Sequence, residues 1–224
     1  MKVGILGSGN VGQVLGRKLA RIGHDVTLGT RSPDELDEVR GGATLRQWLQ
    51  DVGGSARVAT FEVAAAKGEV MINATAGNGS LEALRMAGEK NLKDKILIDV
   101  ANPLDFSRGM QPTLTVCNTD SLGEQIQRAF PKTKVVKALN TVNVQLMIDP
   151  TRLAKGEHHL FLCGNDAAAR DRVAGWIKEW FGWKHIIDLG DITGARGMEM
   201  ILPMWIRLYG KLHTPMFNYR IVGV

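Results

Sequence analysis

Gly7-Ser8-Gly9-Asn10-Val11-Gly12 carries the first chemical signal in this chain. It follows the apolar run Val3–Leu6 and opens a stretch in which Val11, Val14, Leu15, Leu19 and Ile22 recur at helical spacing until Gly23. Alone, GxGxxG is a common glycine turn. Between a strand and an amphipathic helix it has a mechanism. Gly7 permits the tight turn, Gly9 lets the backbone approach a pyrophosphate, and Gly12 lets the helix sit close to the strand with its N-terminus over the phosphates. The spacing predicts dinucleotide binding.

The end of the next β-branched run, Val26–Leu28, reads Gly29-Thr30-Arg31-Ser32. An NAD site places a carboxylate here to accept from the ribose 2′-hydroxyl. This chain instead offers Arg31 to pair with a 2′-phosphate, and the Thr30 and Ser32 hydroxyls to donate to it, which favours NADP(H) over NAD(H). Asp34 and Glu35 read as the first turn of a following helix, where acids complement the dipole. In an open parallel sheet a ligand lies beyond the carboxyl ends of the strands. Those ends read Ala74-Thr75-Ala76-Gly77-Asn78, Val100-Ala101-Asn102-Pro103 and Ala138-Leu139-Asn140-Thr141. All are small or neutral polar, which leaves room for a nicotinamide. Ala74, Thr75, Ala76, Asn102, Pro103, Ala138 and Asn140 therefore join the glycine loop as candidate cofactor contacts. Asn102 before Pro103 reads equally as turn punctuation.

Oxidation of an alcohol needs a group to move the hydroxyl proton, usually His, Lys or Tyr. His24, His158, His159 and His185 fall in a turn or at strand starts and read as structural. Lys137 lies in a strand near the predicted site, on a face that alternation leaves open. No catalytic side chain and no metal ligand set is assigned. Hydride transfer to a flavin-like ring needs orientation and stacking more than a side-chain proton donor, and fits such a site better.

These residues must be positioned by the runs Val3–Leu6, Val26–Leu28, Val58–Thr60, Val70–Ala74, Ile96–Val100, Val135–Ala138, Leu160–Cys163 and Ile186–Leu189. Helical stretches separate them, among them one capped by Ser121 and Glu124, one over 166–181, and one over 194–209 that Pro203 should kink or split. The class expected is α/β, a Rossmann-type doubly wound, mostly parallel sheet, with a dinucleotide-binding domain over 1–150 and a small C-terminal α/β extension over 151–224. Gly41-Gly42 and Gly53-Gly54 bracket a segment read as a surface excursion. With 44% apolar residues the chain supports a core without metal or disulfide staples. Its two cysteines, Cys117 and Cys163, lack CxxC spacing and read as two buried thiols in a reducing compartment. The net charge of +5 comes from scattered residues rather than a stripe, so neither nucleic acid nor membrane is expected as a partner. With no leader-like or spanning segment, the expected location is cytoplasmic.

Val3 to Gly12, Gly29-Thr30-Arg31, Lys134 to Thr141 and the Leu202-Pro203 step resemble the NADP oxidoreductases that act with the deazaflavin coenzyme F420. Lys95 to Pro103 and Cys163-Gly164-Asn165-Asp166 are similar to the cytosolic reductase domain of six-transmembrane metalloreductases. The resemblance implies NADPH with Ser8, Thr30, Arg31 and Ser32 around the 2′-phosphate, and nicotinamide near Thr75, Asn102 and Ala138. It further implies coenzyme F420, or FMN or FAD, as the small-molecule hydride acceptor stacked on that ring. It also implies a homodimer joined through the C-terminal region, with Met198, Met204 and Trp205 exposed for that contact. Two positions depart from the pattern: Asn140 stands where deazaflavin reductases carry His, and Glu35 where a further basic residue would help hold the phosphate. Two alternatives stay open. One is an NADPH-dependent reductase of another small molecule, of 3-hydroxyacid or imine type, which would need a catalytic Lys and a larger helical region after Asp149. The other is a non-catalytic NADP(H)-binding sensor.

Overall fold

The computed structural model describes residues 1–40 and 42–223. The first half runs β1 (Lys2–Leu6), α1 (Asn10–Arg21), β2 (Asp25–Thr30), the ribbon β3 (Val39–Arg40) and β4 (Ala43–Thr44), α2 (Leu45–Val52), β5 (Ala56–Thr60), α3 (Phe61–Lys67), β6 (Val70–Asn73), α4 (Gly77–Ala87), α5 (Glu89–Leu92) and β7 (Ile96–Asp99). The second half runs β8 (Leu104–Asp105), β9 (Thr113–Leu114), α6 (Leu122–Ala129), β10 (Lys134–Ala138), α7 (Val144–Ile148), β11 (His159–Cys163), α8 (Ala167–Phe181), β12 (His185–Asp188), α9 (Ala195–Met200) and α10 (Leu202–Leu212).

Eight strands form one sheet in the order β12-β11-β10-β7-β6-β1-β2-β5. They are the eight runs picked out by their apolar, β-branched composition. All neighbours are parallel except β10 and β11, so the fold is the expected doubly wound, mostly parallel sheet. Alternate residues serve opposite faces. Ile72 and Val136 enter a core with Leu15, Trp48, Ile177 and Trp180, whereas Met71 and Val135 enter a second with Ala64, Leu84 and Ile126. The chain leaves β1 toward β2 and β5, then returns to the other side of β1 with β6. The crevice at that reversal is where such sheets bind ligands. Pro203 splits the last helical stretch, α9 ending at Met200 and α10 beginning at Leu202.

A charged cluster joins the ends of β7 and β10 to α9 inside the second core. Lys137 has no exposed side-chain surface, and its three donors meet Asp99 Oδ2 at 2.7 Å, the Ala101 carbonyl at 2.6 Å and Glu199 Oε1 at 2.8 Å. Burial pushes the Lys137 amine down, but the carboxylates of Asp99 and Glu199 outweigh it and hold the pKa above the ordinary lysine value. Glu199 also accepts the first backbone N–H groups of α6, from Leu122 at 2.8 Å and Gly123 at 3.0 Å. Ser121 receives the Glu124 N–H as a helix cap, as its spacing predicts, but the remaining N-terminal donors are satisfied from α9.

Lys137→Met should therefore lower stability by about 3–5 kcal/mol near neutral pH, because it leaves two buried carboxylates without a counter-charge. In the wild type the Lys137 contribution is complete below the ordinary lysine pKa and is lost only above it. Urea titrations of wild type and variant at neutral pH test this: a clearly lower midpoint with an unchanged slope in the variant is the expected result.

Candidate active site

The turn after β1 is built around contacts only glycine allows. Gly7 has φ +115° and donates its N–H to the Gly29 carbonyl at 3.0 Å, while a Cβ on Gly12 would overlap the Gly7 carbonyl oxygen. A Cβ on Gly9 would meet nothing, so the space above it is open. Gly9 is also the N-cap of α1 and brings no capping side chain. The first N–H groups of α1 are thus left for an anion, and a pyrophosphate fits that cradle.

A cleft of about 930 Å³ runs from this turn across the ends of β2 and β6, lined by Ser8, Thr30, Arg31, Ser32, Arg40 and Thr75 among others. Arg31 is exposed at its mouth. Arg40, which the reading of the sequence missed, donates to Thr30 Oγ1 at 2.7 Å, approaches Ser8 Oγ at 3.4 Å, and pairs with Glu35 at 2.8 Å and Glu38 at 2.6 Å. It supplies the basic group that Glu35 does not. Its backbone is tied to the glycine turn through Gln13, whose buried amide donates to the Ser8 carbonyl at 3.0 Å and the Arg40 carbonyl at 2.6 Å. Trp48 fixes Gln13 in turn by donating to its carbonyl at 2.8 Å.

Two expectations fail here. Asp34 and Glu35 do not start a helix: Leu36 donates back to the Asp34 carbonyl, the chain turns, and no helix forms before Leu45. The segment after β2 is not a mere surface excursion, since α2 buries Leu45 and Trp48 completely. Gly41 itself lies outside the described residues. The signal was present in Leu45, Trp48, Leu49 and Val52 at helical spacing behind the capping box of Thr44 and Gln47.

Ala74, Thr75, Ala76 and Asn78 also line a second cavity of about 540 Å³, whose far wall holds Asn102, Leu104, Phe106 and Thr115. The Phe106 ring is half exposed. Among the described residues lining this cavity, Asp105 alone is ionisable, and hydrogen bonds from Ser107 hold its carboxyl below the usual range.

Asn10 is exposed at the start of α1, and Val11 lines the second cavity. Asn102 faces that cavity, but Pro103, Ala138 and Asn140 do not. Ala138 is enclosed at the end of β10, and Asn140 Nδ2 is spent on Asn102 Oδ1 at 2.9 Å and the Met198 carbonyl at 3.0 Å, while Asn140 Oδ1 is buried with no hydrogen-bond partner among the described residues. Asn102 answers by donating to the Asn140 carbonyl at 2.9 Å, so it is more than punctuation. Lys137 points away from both cavities into its carboxylate pair and is withdrawn from proton transfer. His158 is structural, held between the Pro150 carbonyl at 3.0 Å and Asn218 at 2.8 Å. Cys163 is buried, and burial pushes its thiol up to about 12, which makes it inert. Cys117 is exposed rather than buried, because it lies in the irregular chain before α6. Met198 is likewise buried in the second core, whereas Met204 is exposed.

A glycine turn at the switch point, a basic site at the end of β2 and a cavity beyond it with Asp105 as the one charged group among its described lining residues define a dinucleotide-dependent oxidoreductase of the Rossmann class. The family model "NADP oxidoreductase coenzyme F420-dependent" matches residues 2–103. A proposed F420-dependent NADP reductase from Arthrobacter sp. FB24 is 52% identical, with 99% of each chain covered and a TM-score of 0.94. The chain belongs to this family of NADP-dependent oxidoreductases. Metalloreductase STEAP3 of Rattus norvegicus is 29% identical over 208 residues, which are 91% of this chain and 38% of that protein. The chain thus spans less than two fifths of that relative's length. An imine reductase from Myxococcus stipitatus, solved with NADP+, shares the fold at 14% identity and a TM-score of 0.63, over 95% of this chain and 64% of its own. Among the described residues no helix is long and apolar enough to cross a membrane.

Arg31→Ala and Arg40→Ala should each weaken NADPH binding by about 1.5–3 kcal/mol and NADH binding far less, the scale of a lost charged hydrogen bond. Calorimetry with both dinucleotides decides it, and equal losses would remove both residues from the 2′-phosphate. Gly9→Val should leave the melting temperature within a few degrees of wild type while abolishing binding of either dinucleotide. Gly12→Val should instead melt early, since its side chain meets backbone rather than open space.

Proposed function

We propose that this chain transfers hydride between NADPH and a flavin-type ring, with a deazaflavin such as coenzyme F420 as the first acceptor and FMN or FAD as the second. The observation that carries the reading is the second cavity. It adjoins the cleft through Ala74, Thr75 and Ala76, is lined by the half-exposed Phe106 and by Asn102, and contains no His, Lys, Tyr or Cys among its described lining residues. Alcohol or imine chemistry calls for a proton donor at that place, and hydride transfer to a ring does not.

Bound NADPH supplies the hydride from its nicotinamide ring. The protein supplies position. The open space over Gly9 and the α1 N-terminus receive the pyrophosphate. Ser8, Thr30, Arg31, Ser32 and Arg40 hold the 2′-phosphate by charge-assisted hydrogen bonds. Thr75, Ala76 and Asn102 flank the ring, while Leu104 and Phe106 shield the reacting face from water. Rate enhancement on this reading comes from orientation and exclusion of solvent rather than proton transfer. The reading includes a homodimer, in which the exposed Met204, Tyr209 and Leu212 of α10 meet a second copy.

The test is anaerobic stopped-flow of NADPH against coenzyme F420, FMN and FAD in turn, following nicotinamide absorbance and acceptor bleaching together. Coupled bleaching of one acceptor is the expected result and identifies its class. Tight NADPH binding with no acceptor reduced would instead describe a sensor.

A further inference from the structure

The buried cluster around Lys137 continues toward the cleft as a chain of hydrogen bonds whose direction is forced. Lys137 can only donate, and its three donors are used, one of them on Asp99 Oδ2. The other oxygen of Asp99 accepts from Asn73 Nδ2 at 2.8 Å and from the Ala101 N–H at 3.3 Å. A carboxylate so placed leaves the Asn73 amide one orientation, with nitrogen toward Asp99 and oxygen toward Thr75. Asn73 Oδ1 then accepts the Thr75 hydroxyl proton at 2.7 Å. Asn73 Nδ2 also donates to Ser80 Oγ at 3.2 Å, and Ser80 Oγ lies 2.8 Å from Thr75 Oγ1. Ser80 Oγ also lies 3.3 Å from the Ala76 carbonyl, but its contact with Thr75 is the shorter, and with the Thr75 proton already given to Asn73 only Ser80 can be the donor between those two hydroxyls. Thr75 therefore has its proton locked inward and shows the cleft a lone pair and no proton.

Resting on the NADPH reading above, we propose that Thr75 Oγ1 is a dedicated acceptor for the N–H₂ of the nicotinamide carboxamide, and that Asn73, Asp99, Lys137 and Glu199 are positioning residues that set its polarity. The ligand class selected is a pyridine nucleotide whose ring bears a hydrogen-bond donor at that place. A hydroxyl free to rotate would accept or donate alike and select neither. Because Glu199 lies on α9, the C-terminal helices are part of this recognition although they line neither cavity.

The experiment compares binding of NADPH with that of its reduced 3-acetylpyridine analogue, in which a methyl ketone replaces the carboxamide and no N–H remains. Both are read by calorimetry, with 2′,5′-ADP as a probe of the phosphate end. Wild type should prefer NADPH by about tenfold, the range of one buried hydrogen bond. Thr75→Val should bring that preference to within about twofold through loss of NADPH affinity alone, with 2′,5′-ADP affinity unchanged, and Thr75→Ser should restore it. Asn73→Ala, which touches no ligand, should erase the preference in the same way. Thr75→Val stands as the deciding variant should Asn73→Ala unfold. Equal losses for NADPH and the analogue, or a wild type that does not distinguish them, would overturn the inference and leave the cofactor reading intact. Failure of the wild type to bind either NADPH or 2′,5′-ADP would instead bring down the cofactor reading on which it rests.

Discussion

A lysine with no exposed surface and two carboxylates as partners is a costly object, and much of this molecule is arranged to make it tolerable. Each ion alone would lose several kcal/mol on leaving water, and the attraction between them recovers this only if every donor and acceptor is met. Lys137 spends its three donors on Asp99, Ala101 and Glu199. Two acids against one base leave a formal negative charge, which the first N–H groups of α6 meet at Glu199. The result ties the ends of β7 and β10, the start of α6 and the helix α9 to one point. Apolar packing could have supplied equal stability at this place. It could not have told Asn73 which way to face.

The phosphate end is organised by a second buried polar group of a different kind. Gln13 sits one residue past the glycine motif, on the inner side of α1, and its amide bridges the carbonyls of Ser8 and Arg40. Trp48 closes the arrangement from α2. Arg40 is thereby carried back to the end of β2, where its guanidinium reaches the Thr30 hydroxyl, with Glu35 and Glu38 beside it. Those two acids hold the guanidinium in place and also temper its charge, so that Arg31, exposed and without an ion-pair partner among the described residues, is the stronger electrostatic lure at the mouth of the cleft.

What could be read from the sequence follows the range of the interactions. The eight strands, the glycine turn and the break at Pro203 are written in local composition and spacing, because a strand buried on both faces must be apolar and proline cannot continue a helix. That Thr30, Arg31 and Ser32 line the cleft was legible because the end of β2 borders the switch point of such a sheet. Arg40 was not, since its place depends on a ribbon, a glutamine amide and a tryptophan contributed by three separate segments. Ala138 and Asn140 failed for the same reason in reverse. The end of β10 lies at the carboxyl edge of the sheet, but Asn102 and Met198 have claimed the asparagine Nδ2 and turned it inward. Lys137 shows the limit most plainly, as one residue of register decides whether a strand lysine faces a ligand or the core.

The two cavities divide the chemistry between them. Positive charge is concentrated in the cleft, where on the proposed reading Arg31, Arg40 and the bare helix terminus contribute binding energy that is the same before and during reaction. The second cavity holds almost none: amides, hydroxyls and an aromatic ring, with hydrogen bonds from Ser107 holding the Asp105 carboxyl below the usual range. A charged donor near the nicotinamide would stabilise one redox state of the ring over the other and bias the direction of transfer. A neutral site with fixed hydrogen-bond polarity orients the ring while leaving that balance to the acceptor. Binding energy drawn from the remote phosphates is then available to hold two flat rings in register, which is where a reaction limited by geometry can use it.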